Sequence, residues 1–274
     1  VHDHDIRPLT AASAALLRAL DSEKTTPEDL YSAAGSAVYE HFTAEDRSEI
    51  APLTAAVRRT VGPILELACG GGRITIPLLS LGRAVVGVDL SSTMVEILRT
   101  RVADLPPTRI HPGTRFVVGD MTDFALPERF GAIVLAATSV ALLDAAGRRA
   151  LLDGARRHLS DDGRFFITAS SPGHLYRPGS QSSRVRAVPG PDGRTGAAVV
   201  TTAVTPDGRY RDVDVVHLGL DEHGRTAARV YHSRVNVVDA DEVQADAEAR
   251  GFRVLARSEL PDADDSTLLE LVAR

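Results

Sequence analysis

The stretch Ile64-Leu65-Glu66-Leu67-Ala68-Cys69-Gly70-Gly71-Gly72-Arg73-Ile74-Thr75-Ile76-Pro77 reads as a buried strand, a glycine turn and the start of a helix. A second apolar run, Ala84-Val85-Val86-Gly87-Val88, ends in Asp89, seventeen residues beyond Gly72. Glycines at such a turn let the backbone approach a ligand, and an acid at the second strand end accepts hydrogen bonds from two ribose hydroxyls. A nucleotide-like cofactor fits this pair of features. The third glycine of a dinucleotide turn would fall at Thr75, so a nicotinamide cofactor is disfavoured.

Working outward, residues 64–170 alternate strand and helix. The expected strands are 64–68, 84–89, 115–118, 132–136 and 164–169, with helices at 74–81, 92–105 and 145–159. The strands are continuous apolar runs, as parallel strands covered on both faces require. Upstream, 11–20 has a helix pattern, Thr26-Pro27-Glu28-Asp29 reads as a helix start, and 46–60 is a helix with Ile50, Leu53 and Val57 on one face. Downstream, 171–194 reads as a long loop. Three β-rich segments follow at 197–204, 209–220 and 226–238, separated by the turns Pro206-Asp207-Gly208 and Asp221-Glu222-His223-Gly224. A helix at 240–250 and two strands, 252–259 and 268–273, close the sheet.

The expected architecture is α/β: a Rossmann-like, seven-stranded, mostly parallel sheet with an N-terminal helical cover and an inserted antiparallel β-meander. The expected division is 1–60 for the cover, 61–171 with 239–274 for the cofactor-binding core, and 172–238 for the insertion.

Composition narrows the partners. A net charge of −6 without any Lys/Arg run argues against nucleic acid. The single cysteine, Cys69, excludes an internal disulfide and makes a zinc cluster implausible. No signal peptide or long apolar run is present, so a cytoplasmic location and no membrane partner are expected.

Three further features sharpen the cofactor. Glu66 is an acid inside a buried strand, costly unless it binds something. The turn runs Ala68-Cys69-Gly70-Gly71-Gly72-Arg73. The third strand ends Val118-Gly119-Asp120-Met121, an acid and an apolar side chain suited to an adenine amino group and ring.

These residues resemble the motifs of class I S-adenosylmethionine-dependent methyltransferases. The segment from Glu66 to Arg73 resembles the first motif, with Ala68 where the commonest form has glycine. Asp89 and Leu90 match the ribose-binding strand end, Met94 a residue packed on adenine, and Asp120-Met121 the adenine-edge motif. Residues 130–139, Phe-Gly-Ala-Ile-Val-Leu-Ala-Ala-Thr-Ser, resemble the fourth motif, whose strand end lies beside the methionine moiety. Gly131 stands where many relatives have an acid. The resemblance implies S-adenosylmethionine as cofactor and S-adenosylhomocysteine as product. It implies cofactor contacts at Glu66, Ala68, Cys69, Gly70, Gly72, Arg73, Asp89, Leu90, Met94, Asp120, Met121 and Ala136, and no metal.

The flanks resemble small-molecule N-methyltransferases, including amino-sugar, glycine-type and peptide N-terminal amine enzymes of bacterial natural-product pathways. That implies methyl transfer to an amine of a small molecule or peptide, with the inserted sheet forming a substrate wall or a homodimer contact. O-methylation of a carboxylate or hydroxyl, and a non-catalytic cofactor-binding protein, remain alternatives. Catalytic candidates are His174, Tyr39 and Tyr31. Substrate candidates are Thr138, Ser139 and Tyr176. His217 and His232 read as sheet-surface residues, His111 and His158 as solvated, and Cys69 as a packing residue.

Overall fold

The computed structural model describes residues 8–22, 24–43, 46–171, 177–189, 195–220, 223–260 and 266–274. The chain runs α1 (Ala11–Ala19), β1 (Glu28–Asp29), α2 (Ala33–Thr43), α3 (Ile50–Arg58), β2 (Ile64–Leu67), α4 (Thr75–Leu79), β3 (Val85–Asp89) and α5 (Ser92–Ala103). It continues β4 (Arg115–Val118), β5 (Phe130–Leu135), α6 (Ala145–His158), β6 (Leu159–Ser170), β7 (Gln181–Pro189), β8 (Thr195–Val204) and β9 (Tyr210–Leu220). It ends with β10 (Thr226–Asn236), α7 (Ala240–Ala249), β11 (Phe252–Leu260) and β12 (Ser266–Ala273). No helix among the described residues is long and apolar enough to cross a membrane.

Two compact units result: Val1–Glu45 with Tyr176–Val237, and Asp46–Leu175 with Val238–Arg274. The second contains the seven-stranded sheet, in the order β11-β12-β6-β5-β2-β3-β4. The pairs among β6, β5, β2, β3 and β4 are parallel, and β12 runs antiparallel to both β6 and β11. This is the Rossmann-like, seven-stranded, mostly parallel sheet that the alternating pattern predicts. Fully buried Ile64, Val85, Ala132, Val134 and Phe166 form its core with Leu53 and Val57 of α3 and Leu78 of α4. Burying these apolar side chains drives the sheet and its covering helices together. Chain order reverses between β2 and β5, so their carboxyl ends flank the crevice where open α/β sheets bind ligands.

The first unit is a five-stranded sheet, β1-β10-β9-β8-β7, antiparallel except for the β1–β10 pair. Its core joins Leu30 and Val38 to Val188, Ala198, Val215 and Tyr231. Residues 46–60, grouped by sequence with the N-terminal cover, lie in the second unit, and the N-terminal segment shares the first unit with the inserted strands.

Several local expectations are corrected. Residues 26–29 do not start a helix: Glu28 and Asp29 pair with Tyr231 and His232, and the Leu30 N–H donates to the His232 carbonyl at 2.9 Å. Pro27, lacking an N–H, precedes the first paired residue, a position where a strand tolerates proline. The helix starts at Ala33, where the Ser32 hydroxyl accepts the Gly35 N–H at 3.1 Å. Tyr31 therefore precedes the helix that carries Tyr39. The long loop expected over 171–194 contains β7, a sheet edge whose residues 181–187 are all exposed. An edge strand bare on both faces needs no apolar alternation, so periodicity could not reveal it. His158 is buried, not solvated. Its Nδ1–H donates to the Gly154 carbonyl at 2.8 Å, its Nε2 accepts the Leu126 N–H at 3.0 Å, and its ring packs on Phe124.

Gly131 has a local reason. A Cβ there would lie 1.5 Å from the Val61 carbonyl oxygen, and the Gly131 N–H donates to Pro63 at 3.0 Å. No acid fits at this position, which accounts for the departure from the fourth motif.

Candidate active site

The turn after β2 is built from left-handed backbone. Ala68, Gly70 and Gly72 have φ of 52°, 51° and 94°. At Gly72 a Cβ would meet Leu98 Cδ1 at 2.4 Å, so glycine is needed for space as well as conformation. Ala68 adopts its φ against steric cost, which is why glycine commonly stands there in such turns. Ala68→Gly is expected to raise stability by about 0.5–1 kcal/mol, the relief of left-handed strain exceeding the added unfolded-state entropy. Equilibrium urea unfolding checks this, and a loss of stability would contradict it.

Asp89 ends β3 and joins two backbone segments. Its Oδ2 accepts the Gly70 N–H at 2.8 Å and its Oδ1 accepts the Ser91 N–H at 2.9 Å. The Ser91 hydroxyl in turn caps α5 through the Met94 N–H at 3.3 Å. One carboxylate thus sets both the glycine turn and the start of α5. Beside it Leu90 is 66% exposed while Met94 is buried. Asp120 lies beyond β4, exposed, its Oδ1 accepting the Thr122 N–H and hydroxyl, each at 2.7 Å. Half-buried Met121 follows it.

Glu66 is fully enclosed within β2. Burial pushes its carboxyl from 4.5 up to about 8, against the opposing hydrogen bond from the Thr75 hydroxyl at 2.6 Å and the charge of Arg73. The proton-bound form therefore favours the fold. Its contribution is complete below about pH 4.5 and is lost as pH rises through about 8. Glu66→Gln should escape that loss, out-stabilising the wild type by about 1.4 kcal/mol per pH unit across most of this window. Urea unfolding at a series of pH values measures the difference, and parallel pH curves would contradict it. Burial, with Glu66 and Asp89 nearby, also pushes the Cys69 thiol well up, so it is not a nucleophile. A Cβ added at Gly87 would lie 2.9 Å from the Cys69 sulfur, which is thus a packing group.

The Arg73 guanidinium turns to Glu49, with Nη2 2.9 Å from Oε2, and to the Asp46 carbonyl at 3.1 Å. After β5, Ala136 is buried and Ala137 and Thr138 are both left-handed, with φ of 57° and 51°. The Ala137 N–H donates to Glu49 Oε2 at 2.9 Å and the Thr138 N–H to the Thr168 hydroxyl at 3.3 Å. Ser139, half-buried, starts a short 3-10 helix, Ser139–Leu142. Glu49 escaped the sequence reading, although it lies one helical turn from Leu53 on the apolar face.

In the first unit the Tyr31 and Tyr39 rings pack in a tilted pair, with centroids 5.5 Å apart and planes at 57°. His174 and Tyr176 lie outside the described residues. His217 and His232 are not surface residues: His217 is buried and the His232 side chain is 14% exposed. His232 Nδ1 lies 2.7 Å from Oδ1 of Asp214, which is wholly buried. Burial pushes the Asp214 carboxyl up, but bonds from His232, Thr10 and Ser13 outweigh it, and the net shift is downward. An ionised Asp214 fixes the tautomer, with Nδ1–H donating and Nε2 left as acceptor. Nε2 is buried without a hydrogen-bond partner among the described residues; Asp212 Oδ1 is 4.0 Å away, engaged by Arg234 at 2.5 Å. The dyad is therefore an imidazole anchored by a buried acid inside the first unit. The pairing was legible in principle: Asp214 and His232 each stand nine residues from His223 in the hairpin turn (223 − 214 = 232 − 223), hence directly opposite. Among the described residues no cluster fit to hold a metal occurs.

Residues 64–163 match the family model described as "Methyltransferase domain". No curated protein matches. Among solved structures, the glycopeptide N-methyltransferase MtfA is 26% identical, covering 97% of this chain and 100% of its own, with a TM-score of 0.65. Its complex with S-adenosyl-L-homocysteine gives 26%, 97%, 99% and 0.66. DesVI of Streptomyces venezuelae, at 23% identity over 86% of this chain and 97% of its own, has a TM-score of 0.67 and shares the fold.

Proposed function

We propose that this S-adenosylmethionine-dependent methyltransferase, of class I fold and with its methyltransferase domain at residues 64–163, methylates an amine of a small molecule or peptide in secondary-metabolite biosynthesis. The observation that carries the reading is the end-to-end correspondence with MtfA, described as acting on a glycopeptide nitrogen. The fit to the cofactor rests on this chain's own groups. Asp89 presents a carboxylate already ordered by Gly70 and Ser91, the left-handed turn bares its backbone, and Leu90 offers an exposed apolar face beside them. Asp120 and Met121 are assigned to the adenine, Glu66 to the methionine ammonium through the turn backbone rather than by direct contact, and Gly72, Cys69, Ala68 and Ala136 to the walls. Arg73 acts through its backbone, since its guanidinium is held by Glu49.

The cofactor supplies an activated methyl on a sulfonium, so the protein need only align the acceptor and exclude water. An amine acceptor takes the methyl unprotonated and releases its proton to water, so no side-chain base is required. Thr138, Ser139 and Tyr176 are assigned to the acceptor, and Tyr31 and Tyr39 to its positioning. A hydroxyl acceptor, which needs a base, is the second reading. Initial rates with S-adenosylmethionine against a glycopeptide bearing a free N-terminal amine, an amino sugar, and their acetylated forms separate the two. Turnover confined to the free amines is expected; equal turnover of the N-acetylated forms would overturn the amine.

A further inference from the structure

Glu49, at the entry to α3, is a buried carboxylate that no motif assigns. Its side chain is 4% exposed, and one oxygen, Oε2, accepts two hydrogen bonds, from Arg73 Nη2 and from the Ala137 N–H, each 2.9 Å long. These donors come from the two segments that flank the crevice. Arg73 follows the glycine turn at the end of β2; Ala137 follows β5, the neighbouring parallel strand, where Leu67 pairs with Leu135. Arg73 is clamped further by the Asp46 carbonyl, so the guanidinium has little freedom to leave. Ala137 and Thr138 are consecutive non-glycine residues in the left-handed region, a conformation that persists only when its surroundings enforce it. Around them the Ser139 N–H donates to Ala136 and the Ala141 N–H to Thr138. The Ala137 N–H is held by a side chain, and that side chain is Glu49.

We infer that Glu49 is a positioning residue: through Arg73 it couples order in the cofactor turn to the conformation of the Ala137–Thr138 turn. Order imposed on Gly70–Arg73 by the cofactor is thereby carried to the end of β5, beside the reacting methyl. This rests on the assignment of the β2 turn to S-adenosylmethionine. Glu49→Gln keeps the shape and one acceptor oxygen but discharges the link to Arg73. It therefore uncouples the two turns while leaving each intact.

The probe is S-adenosylhomocysteine, which needs no acceptor. Its affinity is read by calorimetry and its effect by hydrogen exchange at the 69–73 and 136–142 amides. In the wild type, binding should slow exchange in both segments. In Glu49→Gln, the Kd should stay within about threefold and 69–73 should remain protected, while ligand-induced protection of 136–142 falls by about tenfold. With an acceptor, kcat should drop while the KM for S-adenosylmethionine stays nearly constant, and Glu49→Asp should recover part of the loss. Should Glu49→Gln fail to fold, Glu49→Asp, one methylene too short to reach Arg73 and the Ala137 N–H together, should show the same selective loss in smaller degree. Undiminished protection of 136–142 in whichever variant folds overturns the inference alone. Failure of the wild type to bind S-adenosylhomocysteine would overturn the cofactor assignment and this inference with it.

Discussion

Asp89→Ala is expected to weaken S-adenosylmethionine binding by roughly 10²- to 10⁴-fold. Two ribose hydroxyl bonds to a charged acceptor are lost, each contributing about 1.5–3 kcal/mol. The loss is compounded because the same carboxylate organises the free site: Oδ2 holds the Gly70 N–H and Oδ1 the Ser91 N–H. Alanine releases both, so the turn must be ordered at the expense of binding free energy. Asp89→Asn isolates the terms. It keeps one acceptor oxygen but sets an amide against a backbone donor, and should fall between alanine and wild type. Calorimetry measures all three, and an unchanged Kd for Asp89→Ala would refute the assignment of β3.

The second large effect is on stability. Asp214→Ala should destabilise the fold by about 3–5 kcal/mol, the range for removing one partner of a buried pair. Asp214 is wholly buried, faces His232 Nδ1 at 2.7 Å and also accepts the Thr10 N–H at 2.7 Å, which anchors the start of α1 to the sheet. Leu17 on that helix packs with Val216 and Val230, so loosening Thr10 strains a packed cluster as well as the imidazole. His232→Ala should cost less, because the Thr10 anchor survives it. Urea unfolding measures both, and wild-type stability of Asp214→Ala would contradict the pairing.

The parallel core was legible because its strands are dominated by apolar runs, broken in β2 by Glu66 alone, and its first turn carries glycine at fixed places. Asp89 and the 68–73 turn announced themselves by spacing, and the left-handed φ at Ala68 shows the conformation for which glycine is usually chosen. Three things were not legible. The edge strand β7 has no apolar alternation. Thr26-Pro27 carries a capping signal that β-pairing of residues 28–29 overrides. Roles created by tertiary pairing leave no local pattern: His158 and Glu49 read as ordinary polar residues until Leu126 and Ala137 are brought to them. Of the sequence candidates for proton transfer, Tyr31 and Tyr39 pack against each other, and His174 lies outside the described residues.

The most direct measurement is the fate of the methyl group itself. Incubation with S-adenosylmethionine carrying a ¹³C-methyl, and a glycopeptide with a free N-terminal amine, followed by NMR of the product, locates the new bond. The account predicts a ¹³C-methyl resonance correlated to the amine nitrogen, present with wild type and nearly absent with Asp89→Ala. A methyl on oxygen would contradict the proposed acceptor, and a cofactor left intact beside every amine offered would contradict the account as a whole.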